Sequence, residues 1–318
     1  MAEEMHVLFG AGQVGQPLAR ILMGRGKRVR IAKRSAVGVP KGAELLVGDA
    51  ADPNFCVEAV RGASTVYHCM NPPYYARVWA ELVPRYMENL IAAAGRNNAR
   101  LVVLDNVYML GRPQGRPLDE DTAPRPCSRK GEIRARAAER LWEAHRRGEV
   151  RATAGRASDF YGPGGTLTHL GDQFWRPVIA GKRGRVLVDL DAIHTYHYIP
   201  DVAAGLATLG MAEDDAYGRP WMLPCAPAET MRALAERFSR HLGREIRLAR
   251  MPRILLKVAA LAVPFLREID EMLYQWEEPF VISDARFRAR FKQQPEDVER
   301  AAADTVAWAK IHYAPAGH

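Results

Sequence analysis

Short apolar runs alternate with longer amphipathic stretches along the first half of the chain. The runs predict strands over residues 5–9, 29–32, 44–47, 65–69 and 101–104. Between the first two, Val14, Leu18 and Ile21 recur at helical spacing, and Gly24 and Gly26 end that helix. Strands and helices that alternate in this way form parallel sheets with right-handed crossovers, so the pattern predicts an α/β fold.

The alternation changes in the second half of the chain. It continues through a helix over 134–146 and a sixth strand over 151–155, and it breaks after the glycines of 162–165. Residues 186–199 predict a hairpin-like segment. A helix over 230–242 carries its apolar residues on one face and stops at Gly243.

The first strand runs into a glycine-rich turn and then into the first helix. Gly10, Gly12 and Gly15 have the Gly-x-Gly-x-x-Gly spacing, around Gln13 and Val14. In such turns the glycines allow a tight bend, close approach of the backbone to a pyrophosphate, and close helix–strand packing. The free N–H groups at the helix start favour an anion. The turn predicts dinucleotide binding.

These patterns divide the chain into two parts. We predict a Rossmann dinucleotide-binding domain over residues 1–160, built on a doubly wound parallel sheet. Residues 161–318 mainly form a smaller C-terminal lobe that binds substrate, with some strands and helices returning to the Rossmann domain. This lobe is expected to cover the carboxyl ends of the strands, where open α/β folds bind ligands.

Charge and apolar patterning exclude several classes of protein. The net charge is +8, but the arginines of 134–140 are interleaved with an acid, as on a solvated helix face, and an anionic cofactor accounts for residual basicity without nucleic acid. The longest apolar stretch, 254–266, contains Lys257 and Pro264 and is too short to span a bilayer. We interpret it as a core helix or a dimer face, with an apolar cleft as the alternative. No membrane contact is expected.

The cysteine pattern and the N-terminal residues indicate the cellular compartment of the protein. Cys56, Cys69, Cys127 and Cys225 are scattered, without a C-x-x-C pair and without histidine at metal-ligand spacing. The first residues are acidic and lead directly into a strand-length apolar run. The expectation is a cytoplasmic protein without a metal site.

Several segments together resemble the extended and atypical short-chain dehydrogenase/reductase superfamily, often labelled NAD-dependent epimerase/dehydratase. Besides the glycine turn, they are residues 48–52 (GDAAD), 156–164 (RASDFYGPG), 198–203 (YIPDVA) and 305–308 (TVAW). The resemblance implies that Asp49 and Ala50 lie beside the adenine. It also implies that Met70, Asn71 and Ser158 lie along the rest of the dinucleotide.

The chain departs from this family where catalysis is expected. The resemblance implies a Tyr-x-x-x-Lys pair on the helix after strand five, in which lysine lowers the tyrosine pKa. No tyrosine here has lysine four residues later. Ser128 or Gly131 stands at the tyrosine position, depending on the flanking segment used for alignment. Asn106 falls about where the family places a serine.

Two residues near the missing pair could replace it. We hypothesise that Tyr108 supplies or orients the proton, and that Lys130 holds the nicotinamide ribose or tunes the phenol. The plant progesterone 5β-reductase and iridoid synthase group is similar, since its catalytic tyrosine also lies elsewhere. The alternative is that Tyr108 is a packing aromatic at a strand end and Lys130 a surface cap.

The end of strand two bears on cofactor choice. NAD-preferring sites place an acid there to bind the ribose 2′-hydroxyl, whereas this strand ends in Lys33, Arg34 and Ser35. Two cations and a hydroxyl suit a 2′-phosphate. The sequence favours NADP(H) over NAD(H).

Three functions remain open from the sequence. The favoured one is an NADP(H)-dependent reductase acting on a carbonyl or activated alkene of a small molecule, which would be hydrophobic if residues 254–266 line an apolar cleft. A nucleotide-sugar-type epimerase or dehydratase with tightly bound cofactor is the second. A non-catalytic NADP(H)-binding sensor or scaffold is the third, and the missing pair favours it. A homodimer is compatible with each.

Overall fold

The computed structural model describes residues 4–187 and 189–314. Its strands, in chain order, are β1 (Met5–Phe9), β2 (Arg28–Lys33), β3 (Glu44–Val47), β4 (Ala63–His68), β5 (Arg100–Asp105), β6 (Arg151–Arg156), β7 (Asp159–Tyr161), β8 (Gly184–Val186), β9 (Ile193–His194), β10 (Tyr196–Tyr198), β11 (Pro220–Met222), β12 (Glu229–Thr230) and β13 (Leu248–Arg250). Its helices are α1 (Gly15–Gly24), α2 (Pro53–Val60), α3 (Ala76–Arg96), α4 (Arg129–Arg146), α5 (Asp172–Ile179), α6 (Ile199–Gly210), α7 (Met231–Leu242), α8 (Arg253–Ala262), α9 (Pro264–Asp270), α10 (Tyr274–Glu277), α11 (Ala285–Phe291) and α12 (Val298–His312).

Seven strands form one parallel sheet in the order β11-β6-β5-β4-β1-β2-β3. Helices α2, α3 and α4 cover one face and α1 and α6 the other. Each face of the sheet has its own hydrophobic core, and alternate β1 residues belong to one or the other. Val7 and Phe9 pack in the core on the α2, α3 and α4 side, and Leu8 packs in the core on the α1 and α6 side. This confirms the doubly wound Rossmann fold, and the predicted strands lie within two residues of the observed ones. The seventh strand, β11, was not predicted.

Helix α4 begins five residues before its predicted start. The Ser128 hydroxyl accepts a hydrogen bond from the Gly131 N–H at 3.1 Å and caps the helix. Consequently Lys130 lies in the first turn of α4 and Arg134 one turn later.

The hairpin-like segment predicted over 186–199 is wrong. β9 pairs with β12, β10 with β7, and β8 with β13. Only Thr195 separates β9 from β10, which is too short for the chain to reverse, and its N–H donates to the Phe280 carbonyl at 3.0 Å.

The apolar stretch 254–266 is not a core helix, so the first of our two interpretations is wrong, whereas a dimer face stays a prediction. In α8 only Leu256 and Ala260 are buried, and the remaining large apolar side chains face solvent. None of the described helices combines the length and hydropathy that a bilayer crossing requires.

Candidate functional site

The glycine turn has the geometry that a pyrophosphate requires. Gly10 has φ of +96°, which disfavours other residues, and a Cβ on Gly15 would lie 2.1 Å from the Gly10 carbonyl oxygen. A Cβ on Gly12 would meet no atom within 4 Å, so this position is open. Helix α1 has Val14 as its N-cap, without a side-chain cap or an acid in its first turn, which leaves N–H groups at its start for an anion.

One polar atom in this turn lacks a partner. The buried Oε1 of Gln13 has no hydrogen-bond partner among the described residues. Unsatisfied buried polar groups are rare in native proteins and call for an explanation. A dinucleotide offers ribose hydroxyls as donors, so the residues present fit such a cofactor.

The loop after the carboxyl end of β2 is exposed and basic. Arg34 and Ser35 are exposed, whereas the Lys33 ammonium donates to the Val37 carbonyl at 2.5 Å within the loop. Asp49 is exposed, and its Oδ1 accepts from the Ala51 N–H at 2.9 Å. Ala50 is buried, and its carbonyl accepts from Asn89 at 2.8 Å. These positions leave Arg34, Ser35 and Asp49 accessible to an adenosine.

The segment after β4 lies between the glycine turn and α4 and contacts both of them. A Cβ on Gly10 would lie 2.9 Å from the Met70 Cγ, which shows how closely the two turns approach. The next residue, Asn71, accepts a hydrogen bond from the Arg134 guanidinium. Arg134 is 3% exposed and lies 4.8 Å from the centre of the Trp79 ring. Its Nε has no partner among the described residues.

Tyr108 lies at the carboxyl end of β5, in a cluster of aromatic rings. Its ring stacks on Trp79 with centroids 6.1 Å apart, and its hydroxyl accepts from the Tyr74 hydroxyl at 3.2 Å. Burial raises the pKa of Tyr108 to about 12, and nearby Asp159 adds to the increase, whereas the charge of Arg134 lowers it. Burial also raises the Tyr74 pKa well above its usual value. Both phenols are therefore protonated at neutral pH.

Asn106 shapes the turn that presents Tyr108. Its Oδ1 accepts from the Tyr108 N–H at 3.0 Å, and Asp105 accepts from the Asn106 N–H at 2.9 Å. Among the described residues, the Asn106 amide nitrogen makes no hydrogen bond. Asn106 therefore positions Tyr108, and its amide nitrogen remains available to a ligand.

The Lys130 ammonium contacts two carboxylates rather than the Tyr108 phenol. It is fully buried, ion-paired with Glu268 and, at 2.6 Å, with Glu271. It also lies 4.5 Å from the centre of the Tyr74 ring. Glu268 in turn accepts from the Ala76 N–H at 3.0 Å, at the start of α3. Lys130 thus joins the first turn of α4 to α9 and α3, and it is not the surface cap of the alternative.

The Ser158 side chain is satisfied inside the protein. Its hydroxyl donates to the Thr195 carbonyl at 2.5 Å and lies 3.0 Å from the His197 Nδ1. The His197 Nε2 lies 3.2 Å from the Leu223 carbonyl. Burial lowers the pKa of His197 to about 4, so the imidazole is neutral. These contacts favour a structural role for the Ser158 hydroxyl.

Asp159 contacts several polar side chains near Tyr108. It was not singled out from the sequence as a site residue. Its Oδ2 accepts from the Trp276 indole at 2.6 Å and lies 2.8 Å from the His194 Nε2. The His169 Nδ1 lies 3.7 Å from its other oxygen. The pKa of Asp159 is strongly lowered because these histidine contacts outweigh the opposing effect of burial.

Arg134 is another site residue that the sequence did not single out, although a signal was present. Lys130, Arg134, Ala137 and Leu141 recur at helical spacing, so two cations occupy the stripe that otherwise packs on the sheet.

Comparisons with known proteins agree with this fold. The model of the NAD dependent epimerase/dehydratase family matches residues 6–219. The 3-diazoavenalumate denitrifying reductase of a Streptomyces species is 29% identical over 128 residues, which are 37% of this chain. The match spans 42% of the length of that relative.

Solved structures of low identity share the whole architecture. The UDP-glucose 4-epimerase of Thermus thermophilus in complex with NAD has a TM-score of 0.76 at 18% identity, covering 96% of this chain and 99% of that one. The UDP-glucuronic acid 4-epimerase of Bacillus cereus in complex with NAD has a TM-score of 0.79 at 12% identity, covering 97% and 99%. With a family model that covers two thirds of the sequence, the chain belongs to the NAD-dependent epimerase/dehydratase family.

Proposed function

We propose that the protein is an NADP(H)-dependent oxidoreductase that reduces a carbonyl or an activated alkene of a small molecule. The observation that carries the proposal is the buried, protonated Tyr108, hydrogen-bonded to Tyr74 at the carboxyl end of β5. A neutral phenol at this position is suited to giving a proton to a substrate. The reductase activity named for the Streptomyces relative supports the same reaction class.

The nicotinamide, when bound, supplies the hydride. In the proposed reduction the Tyr108 hydroxyl donates its proton to the substrate atom that becomes electron-rich. The hydrogen bond that Tyr108 accepts from Tyr74 stabilises the phenolate left on Tyr108, and a proton from solvent restores the phenol. The charge of Arg134 favours the phenolate formed in this step, as the direction of its effect on the Tyr108 pKa indicates. Arg134 would therefore do electrostatically what the family lysine does.

The choice of NADP(H) rests on the basic end of β2. Replacing exposed Arg34 by aspartate is expected to weaken NADPH binding by roughly tenfold to a hundredfold, since a charge-assisted contact to the 2′-phosphate is lost. NADH binding is expected to change much less. Titration of nicotinamide fluorescence measures both affinities.

Arg28→Asp is the matched control for this substitution. Arg28 is exposed at the opposite end of the same strand, so the change in net charge is identical. Equal weakening of NADPH and NADH by Arg34→Asp would contradict the assignment of the 2′-phosphate site.

A second candidate is a nucleotide-sugar epimerase or dehydratase that keeps its cofactor bound, and the epimerases among the structural neighbours favour it. Denaturing the purified protein and assaying the released dinucleotide separates the two candidates. Retained cofactor without turnover of free NADPH supports the epimerase. NADPH consumption with a panel of carbonyls and enones supports the reductase. Binding of NADPH without any turnover supports a sensor.

A further inference from the structure

Helix α8 exposes its apolar side chains to solvent. Ile254, Val258 and Leu261 are 71%, 61% and 76% exposed, and their spacing places them on one stripe of the helix. Leu255, Val263 and Phe265 extend the exposed apolar area into the start of α9. The buried side of α8 holds only Leu256 and Ala260. Contiguous apolar surface of this kind marks an interaction site.

Exposed cations lie on α8 and on the segments connected to its start. Strand β13 leads into α8 and pairs with β8, so β8 and the loop before it adjoin the strand that precedes α8. Arg247, Arg250 and Arg253 each contact a carboxylate. The other exposed cations of these segments make no ion pair among the described residues, although Arg244 donates to the Val178 and Ile179 carbonyls; they are Lys182, Arg183, Arg185, Arg244 and Lys257.

We propose that this surface, the α8 docking surface, binds the face of a membrane that contains anionic lipids. A helix with apolar residues on one stripe and basic residues on its borders inserts shallowly into the headgroup region. Unpaired lysines and arginines nearby are attracted by the negative surface potential of such a membrane. Docking of this kind needs no spanning helix. It revises the expectation that this chain makes no membrane contact.

The charge pattern favours a lipid surface over a second copy of the chain. In a two-fold symmetric dimer the same patch meets itself, so the unpaired cations would face each other. The centre of a protein–protein interface is also depleted in lysine, whereas Lys257 lies among the apolar residues of α8. An anionic surface satisfies both the cations and the apolar stripe.

The docking surface reaches the candidate active site at one end. The Phe265 ring lies 5.9 Å from the Tyr75 ring and 6.5 Å from the Tyr74 ring, measured between centroids. Tyr74 is the hydrogen-bond partner of Tyr108. A membrane-bound protein would therefore hold the edge of its cleft at the lipid surface, where a hydrophobic molecule partitions.

Co-sedimentation with vesicles tests the proposal on the full chain. The protein is expected to sediment with vesicles of phosphatidylcholine and phosphatidylserine, and much less with phosphatidylcholine alone. Binding should fall at high salt because screening weakens the attraction of the cations. Leu261→Glu is expected to reduce partitioning by at least about tenfold, and Lys257→Glu by at least about fivefold.

Ile311→Glu is the matched control for Leu261→Glu, since Ile311 is 81% exposed on α12, a helix that carries none of the docking-surface residues. It introduces the same charge and should leave vesicle binding unchanged. Absence of binding to the anionic vesicles would overturn the proposal, as would equal loss of binding in the control. A dimer in solution that Leu261→Glu converts to a monomer would assign the surface to a second copy instead.

Discussion

Replacing Tyr108 by phenylalanine is expected to lower turnover of the reductase reaction by roughly 10²–10⁴-fold, the usual contribution of a positioned proton donor. Affinity for NADPH should stay the same, because the Tyr108 hydroxyl contacts Tyr74 rather than the glycine turn. Burial holds the Tyr108 pKa at about 12, so the phenol should remain an effective donor on raising the pH above neutral. Steady-state kinetics with NADPH and the best substrate of the panel measures this loss.

Tyr161→Phe makes the same chemical change at a buried tyrosine of the C-terminal lobe, whose core also contains Phe238. It should leave turnover unchanged. Tyr74→Phe keeps Tyr108 but removes its hydrogen-bond donor, and a smaller loss is expected. If Tyr108→Phe retained full turnover with cofactor bound, Tyr108 would be a packing residue and the proton would come from elsewhere.

Replacing Lys130 by methionine is expected to lower the free energy of unfolding by about 3 kcal/mol, because it removes the buried cation from two largely buried carboxylates and leaves them only the exposed Arg129. Glu268 and Glu271 have side chains that are 11% and 15% exposed. Lys130 lowers the pKa of Glu268 against the opposing effect of burial, so that carboxylate is ionised in the folded protein. Urea unfolding measures the change.

Lys27→Met is the control for a surface ion pair, since Lys27 contacts exposed Glu4 at 2.6 Å. Its cost should be below about 1 kcal/mol. Adding Glu268→Gln and Glu271→Gln to Lys130→Met should recover part of the lost stability, because no unpaired charge remains. If Lys130→Met left stability intact but abolished dinucleotide binding, Lys130 would be a cofactor ligand, as the sequence suggested.

Together these variants separate the structural role of Lys130 from the electrostatic role of Arg134, two residues that lie one turn apart in α4. In α4, Lys130 faces the C-terminal lobe, whereas Arg134 faces Asn71 and Asp105. The family pair of tyrosine and lysine is absent, but a phenol and a cation still lie beside the end of β5. The phenol comes from the turn after β5 and the cation from α4.

The sequence by itself determined the Rossmann core and the geometry of the glycine turn. Strand period, helix spacing and the steric needs of Gly10 and Gly15 are local properties, and the observed strands followed them closely. Local rules also misplaced the start of α4, where the Ser128 cap extends the helix across residues that lack an apolar pattern.

Only the tertiary structure decided which side chains meet. Lys130 is paired with residues 138 and 141 positions away, and Tyr108 with Tyr74, 34 positions away. The pattern in 254–266 identified an apolar stretch but not whether another element covers it, and none of the elements in residues 4–187 and 189–314 covers its exposed side. Periodicity reports which residues share a face. What covers that face depends on contacts between distant segments, which local patterns do not encode.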